Sequence, residues 1–156
     1  MEFRPADVTA MQEALALSRQ SLLAGNADVP VGALILGPDG DTLSASGNRR
    51  EALSDPTAHA EVVVLREAAL ARGDWDLSGC TLVVTLEPCP MCAGAAHLSR
   101  VDRVVFGAWN EEYGAAGSAW DLLRDRRLAH RPEVTGGVLA EECGAVVREF
   151  FERLRG

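Results

Sequence analysis

Lysine is absent from this chain: all fifteen basic residues are arginine. We read that as a reflection of genomic base composition and attach no function to it. Acidic residues outnumber basic ones and the formal charge is −8, which argues against a protein that coats nucleic acid through its overall field. A local basic patch stays open. No apolar run approaches the ~20 residues of a membrane-spanning helix. No basic stretch near the start leads into an apolar one, so the sequence predicts no export signal and a soluble, cytoplasmic chain with no membrane partner. Repeats and linkers are also missing. The length of 156 residues therefore predicts a single domain over residues 1–156, long enough to bury a core without staples. Histidine is scarce (three) and cysteine modest (four: Cys80, Cys89, Cys92 and Cys143). Without an export signal, the close pair Cys89 and Cys92 points to metal or redox chemistry rather than to structural disulfides.

The patterning alternates helices and strands. Met11, Leu15 and Leu22 recur at helical spacing, with Thr9 and Gln12 fitting a capping box and Gly25 a helix end. "VGALIL" and "TLSASG" flank the turn "GPDGD" and predict an antiparallel hairpin. "NRREALSDPT" reads as a polar loop, and a helix is expected from Ala58 to about Arg72. "CTLVVTL" predicts a strand covered on both faces. Pro88 stops it, and Pro90 suits the first turn of a helix reaching about Ser99. "DRVVFGA" is a further strand, "NEEYGAAGSA" a glycine-rich loop, "EVTGGVL" a short last strand or edge, and "AEECGAVVREFFERLR" a closing amphipathic helix. This order predicts a three-layer α/β domain with a mixed sheet.

Chemistry collects at two helix starts. Cys89-Pro-Met-Cys92 taken alone reads as a dithiol redox motif, as half of a zinc site, or as two small buried hydrophobes. His59-Ala-Glu61 lies upstream, also where a helix begins. One imidazole and two thiolates match a catalytic zinc site with one open position; a structural site needs a fourth protein ligand, and neither His97 nor His130 has the spacing to supply one. Helix starts suit this chemistry, because first-turn N–H groups and the helix dipole favour a thiolate. Glu61 by itself fits a first-turn glutamate that favours the dipole. Beside a zinc-activated water it becomes a proton carrier, taking a proton from the water and returning it to a leaving group.

The combination His-x-Glu followed by Pro-Cys-x-x-Cys is the signature of zinc nucleobase deaminases. Over nearly its full length the chain resembles the bacterial tRNA-specific adenosine deaminase (TadA) family of cytidine/deoxycytidylate deaminase-like enzymes. The resemblance rests on "VPVGALI" from Val29, "GN" at Gly47 and Asn48, "DPTAHAE" over residues 55–61, "TLVVTLEPCPMCAGA" over residues 81–95, "RVVFGA" over 103–108, "GAAGS" over 114–118, "HRPEV" over 130–134 and "GVLAEEC" ending at Cys143. It implies a cytidine deaminase-like α/β/α fold with a mixed five-stranded sheet, in a homodimer. It implies Zn²⁺ on His59, Cys89 and Cys92, with Glu61 catalytic. The implied reaction is hydrolytic deamination of adenosine to inosine at the wobble position of a tRNA anticodon. A loop nucleotide is already partly unstacked, so drawing it into a tight pocket costs less than extracting a paired base. On the same resemblance Asn48 hydrogen-bonds the base, Val29 and Leu86 form pocket walls, Glu87 and Pro88 offer backbone groups near the leaving amine, and Ala60 and Asn110 also border the substrate.

The chain departs from the family pattern after the "RVVFGA" strand. Asn110 and Glu112 stand where an aspartate and a lysine are usual, with Tyr113 following, and Ala129 stands where an asparagine is common. These changes motivate an alternative, a same-scaffold deaminase of a free nucleobase or nucleoside such as guanine or cytosine. A non-catalytic zinc subunit is a third reading, which Glu61 opposes. Residues 124–131, "RDRRLAHR", form a basic cluster that fits either phosphate contacts or a solvated face. Trp109 and Tyr113 fit either base stacking or packing. Phe150 and Phe151 read as packing residues, and Cys80 and Cys143 as buried, unligated thiols.

Overall fold

The computed structural model describes residues 2–156. In chain order it contains α1 (Pro5–Leu23), β1 (Gly32–Leu36), β2 (Thr42–Gly47), α2 (Arg50–Leu53), α3 (Ala60–Arg72), β3 (Thr81–Leu86), α4 (Pro90–Leu98), β4 (Arg103–Ala108), β5 (Glu133–Gly136) and α5 (Ala140–Arg155), with a 3-10 turn at Leu122–Arg124. The five strands form one sheet in the order β2-β1-β3-β4-β5. β1 is antiparallel to both β2 and β3, whereas β3, β4 and β5 run parallel. The sheet is therefore mixed, as the order of elements predicts.

Strand periodicity divides the core into two layers. Ala33, Ile35, Leu82, Val84, Val104 and Phe106 face one cluster, shared with Val64, Leu65, Ala93 and Ala96 of α3 and α4. Leu34, Val83 and Val105 face the other, shared with Met11, Ala14 and Leu15 of α1 and Val146 and Phe150 of α5. Helices thus cover both faces, giving the three-layer α/β/α architecture. β3 is central and buried along Thr81–Thr85, which explains its run of apolar and β-branched residues. The close approach of α1 to the sheet requires Gly32, where a side chain would overlap the Ala14 carbonyl.

Two local expectations are corrected. α1 begins at Pro5, a turn earlier than the capping-box reading placed it, and Thr9 lies inside the helix with its hydroxyl donating to the Pro5 carbonyl at 3.1 Å. Proline at the first position has the helical φ built in and no N–H to leave unpaired, so it sets the start. The polar loop after Asn48 contains the single turn α2. Its amides on Glu51 and Ala52 donate to the buried Asp28 carboxylate at 2.6 and 3.2 Å. The partner lies 23 residues upstream of Glu51, beyond the reach of a local pattern.

Asp7, in the first turn of α1, is nearly fully buried and binds both terminal nitrogens of Arg103 at 2.9 and 2.7 Å. Arg103 also lies 3.6 Å from Glu133, so the pair ties α1 to the starts of β4 and β5. Removing one partner of a buried, bidentate pair strands the other charge. Because Arg103 keeps Glu133 and some solvent contact, we expect Asp7→Ala to cost about 2–3 kcal/mol. Denaturant titration checks this; a loss below about 0.5 kcal/mol, the range of ordinary surface substitutions, would contradict it.

Candidate metal centre and substrate pocket

The C-terminal end of β3 and the start of α3 meet at one place. His59 is the N-cap residue of α3 and Cys89 the N-cap residue of α4; both have extended backbones, and neither spends its side chain on capping. Cys92 follows one turn into α4 and is fully buried. His59 Nδ1 lies 3.6 Å from Cys89 Sγ and 3.5 Å from Cys92 Sγ. The three ligand atoms all fall within 4.8 Å of one another, and both thiols are free.

These separations test the fit of zinc. Zn–N near 2.05 Å and Zn–S near 2.3 Å at a tetrahedral angle give an N···S distance of about 3.5 Å. The spacing is thus already that of two edges of a zinc tetrahedron. The electrostatics agree. A hydrogen bond from Cys92 and a second with His59 pull the Cys89 thiol down to about 4, so it is a thiolate at neutral pH. Sharing that bond, and burial, hold Cys92 in the thiol form. The hydrogen bond with Cys89 raises the His59 pKa. A divalent cation replaces these protons, and the donor set is chemically suited to it.

Glu61 sits in the first turn of α3 and is 4% exposed. Burial pushes its carboxyl above the ordinary value. It faces a cavity of about 150 Å³ that also reaches His59 and Cys89. Val29, Asn48, Ala60, Leu86, Glu87 and Asn110 line the same cavity. Every residue expected at the substrate except Pro88 is therefore on its wall. At residues 87–88 the Glu87 N–H donates to the Ala108 carbonyl at 2.8 Å, and the Pro88 carbonyl accepts from the Ala115 N–H at 2.7 Å with a second lone pair to spare. Val31 and Arg50 also line the cavity; sequence reasoning missed both. Arg50 stood in what looked like a plain polar loop, and the only local hint was its closeness to Asn48. The Asn48 side chain is oriented by donating to the Val29 carbonyl at 3.3 Å and accepting from the Arg50 N–H at 3.2 Å. That leaves one amide hydrogen and one lone pair for a ligand.

The remaining candidates lie apart from the three ligands. The ring nitrogens His97 Nδ1 and His130 Nε2 each sit 2.7 Å from a backbone carbonyl, of His130 and Val101 respectively. Cys80 and Cys143 are buried and free, and burial raises both thiols, Cys143 to about 11. Phe150 packs into the layer between α1 and α5 and meets Phe151 edge-on. Trp109 packs edge-on against Phe106 at 4.8 Å yet stays half exposed, and Tyr113 is exposed on the same loop. In the basic cluster Arg124 pairs with Asp121 and Arg127 with Asp125. Among the described residues, Arg126 and Arg131 are exposed and form no ion pair. No helix among the described residues is long and apolar enough to cross a membrane.

Residues 5–108 match the model of the cytidine and deoxycytidylate deaminase zinc-binding region. The chain is 46% identical to the tRNA-specific adenosine deaminase of Bacillus subtilis, covering 93% of this chain and 88% of that protein. It is 51% identical to a stretch of the tRNA(Ile)-lysidine synthase of Deinococcus deserti, covering 97% of this chain but only 28% of that longer protein. Among solved structures, one from a study of A-to-I editing by tRNA:A34 deaminases superposes with a TM-score of 0.82 at 37% identity, covering 88% of this chain and 98% of that one. A guanine deaminase from Nitrosomonas europaea superposes with a TM-score of 0.76 at 28% identity, covering 96% and 86%.

Proposed function

We propose that this chain, which belongs to the cytidine and deoxycytidylate deaminase family of zinc-binding domains, converts adenosine to inosine at the wobble position of a tRNA anticodon. The observation that carries the proposal is a His59, Cys89, Cys92 centre beside the buried Glu61, in a chain that aligns almost end to end with a tRNA-specific adenosine deaminase.

His59, Cys89 and Cys92 would hold zinc, which when bound would supply a water with its pKa brought down to about 7. The protein's own residues do the rest. Glu61 accepts a proton from the attacking water and passes it to the departing amine at C6, so that water and adenine become hypoxanthine and ammonia. A carboxyl raised by burial suits both halves of that transfer. Asn48 fixes the ring with its free hydrogen and lone pair, and Val29 and Leu86 pack on the base. The cavity of about 150 Å³ lies below the ~300–1,000 Å³ of drug-sized sites. It suits a single flipped base whose sugar and phosphates stay outside. Outside the cavity, Arg126 and Arg131 hold backbone phosphates, and two copies of the chain form the working dimer, which light scattering would report as twice 16.6 kDa.

Zinc-loaded protein incubated with an anticodon stem-loop carrying a wobble adenosine should release ammonia and leave inosine. No inosine there, together with turnover of guanine or of free nucleosides, would move the assignment to the alternative. That second reading draws on the likeness to the guanine deaminase and on Asn110 in the pocket wall. For Arg126→Ala we expect weaker stem-loop binding and a salt slope, log K against log salt, smaller by about one. An unchanged slope would remove Arg126 from the RNA surface.

A further inference from the structure

Glu87 lies between an apolar strand and a zinc-ligand loop, and its carboxylate is 1% exposed. No arginine or histidine pairs with it among the described residues; it is held by hydrogen bonds alone. Oε1 accepts from the Asn110 N–H at 3.0 Å and from the Ser118 hydroxyl. Oε2 accepts from the Ala116 and Ser118 N–H groups, both at 3.0 Å. One side chain therefore gathers three amides and a hydroxyl from residues 110–118. A polar carboxyl group buried without a cation is stable only when such donors converge on it. The loop is folded tightly over this group: a side chain at Gly114 would overlap both the Glu87 carboxyl and the Asn110 carbonyl.

We propose that Glu87 is a positioning residue that clamps residues 110–118 against the metal loop and so sets the place of Asn110 on the pocket wall. The inference rests on the reading of that pocket as the substrate site. The geometry makes a selective prediction for Glu87→Gln. Oε2 faces two N–H donors, so the amide oxygen must take that side. The NH₂ group then occupies the Oε1 side, where the Ser118 hydroxyl can rotate to accept but the Asn110 N–H cannot. The amide variant therefore frees one partner, Asn110, and keeps the other contacts.

Two measurements on zinc-loaded protein test this. In hydrogen exchange, Glu87→Gln should deprotect the Asn110 amide while Ala116 and Ser118 stay protected. In stem-loop kinetics it should raise KM by about tenfold or more and change kcat less than KM, because substrate placement is lost and proton transfer is not. Gly114→Ala disturbs the same clamp from the loop side and should show the same split, which keeps the test alive if Glu87→Gln does not fold. Wild-type KM with an unchanged Asn110 amide overturns the proposal. So does a uniform loss of protection and of bound zinc, the mark of a merely structural residue. If the wild-type protein makes no inosine at all, the functional reading fails, and hydrogen exchange still decides the clamp.

Discussion

Glu61→Gln will retain one zinc per chain and lose about 10²–10⁴-fold in kcat on an anticodon stem-loop. The substitution keeps shape and burial and removes only the ability to accept a proton. Glu61 is buried on the first turn of α3, two residues past His59, on the wall of the cavity that holds Asn48 and Cys89. A carboxylate placed there for the helix dipole alone would be worth about 0.3–1 kcal/mol of stability and nothing in turnover. The two roles thus separate cleanly: a loss in kcat with little change in melting temperature marks proton transfer. Stem-loop affinity should be little altered, since on the proposed reading Asn48, Val29 and Leu86, not Glu61, hold the base. A Glu61→Gln protein with full turnover would instead support a non-catalytic zinc subunit.

Cys92→Ala, or chelation of the wild-type protein, will abolish deamination while leaving a folded chain. Cys92 is fully buried at the start of α4, and its loss leaves two ligands, too few to hold zinc against a chelator. Fold and metal are separable here because both hydrophobic clusters are built on the sheet and neither includes His59, Cys89 or Cys92. This differs from small zinc domains, which unfold without the ion. Binding still stabilises the native state, by about 4 kcal/mol when free zinc exceeds its Kd a thousandfold. The metal-free protein should therefore melt earlier but in one cooperative step, and one equivalent of zinc should restore wild-type activity, though not that of Cys92→Ala. Non-cooperative melting on chelation would show that the metal organises the core.

Much of this was legible before the structure, and the reasons are physical. β3 is a continuous apolar run because the sheet buries it on both faces, and Pro90 marks the start of α4 because proline fits a first turn. His59, Cys89 and Cys92 announce themselves by residue type and by position at helix starts. What the sequence hid depends on contacts between distant residues. The turn α2 exists because Asp28 caps it from across the molecule. The side-chain role of Glu87 was also concealed, because its four donors sit 23 to 31 residues downstream. The early start of α1 is written in Pro5, while Thr9 and Gln12 match a capping box by residue type but lie inside the helix.

The most direct test of the central claim is zinc-edge X-ray absorption on the purified protein, with the metal counted per chain. The site predicts one zinc with two sulfur neighbours at about 2.3 Å, one imidazole nitrogen at about 2.0–2.1 Å and one further light atom. A shell of four sulfurs, a shell with no sulfur, or a protein whose Cys89 and Cys92 are joined to each other and hold no metal would contradict it.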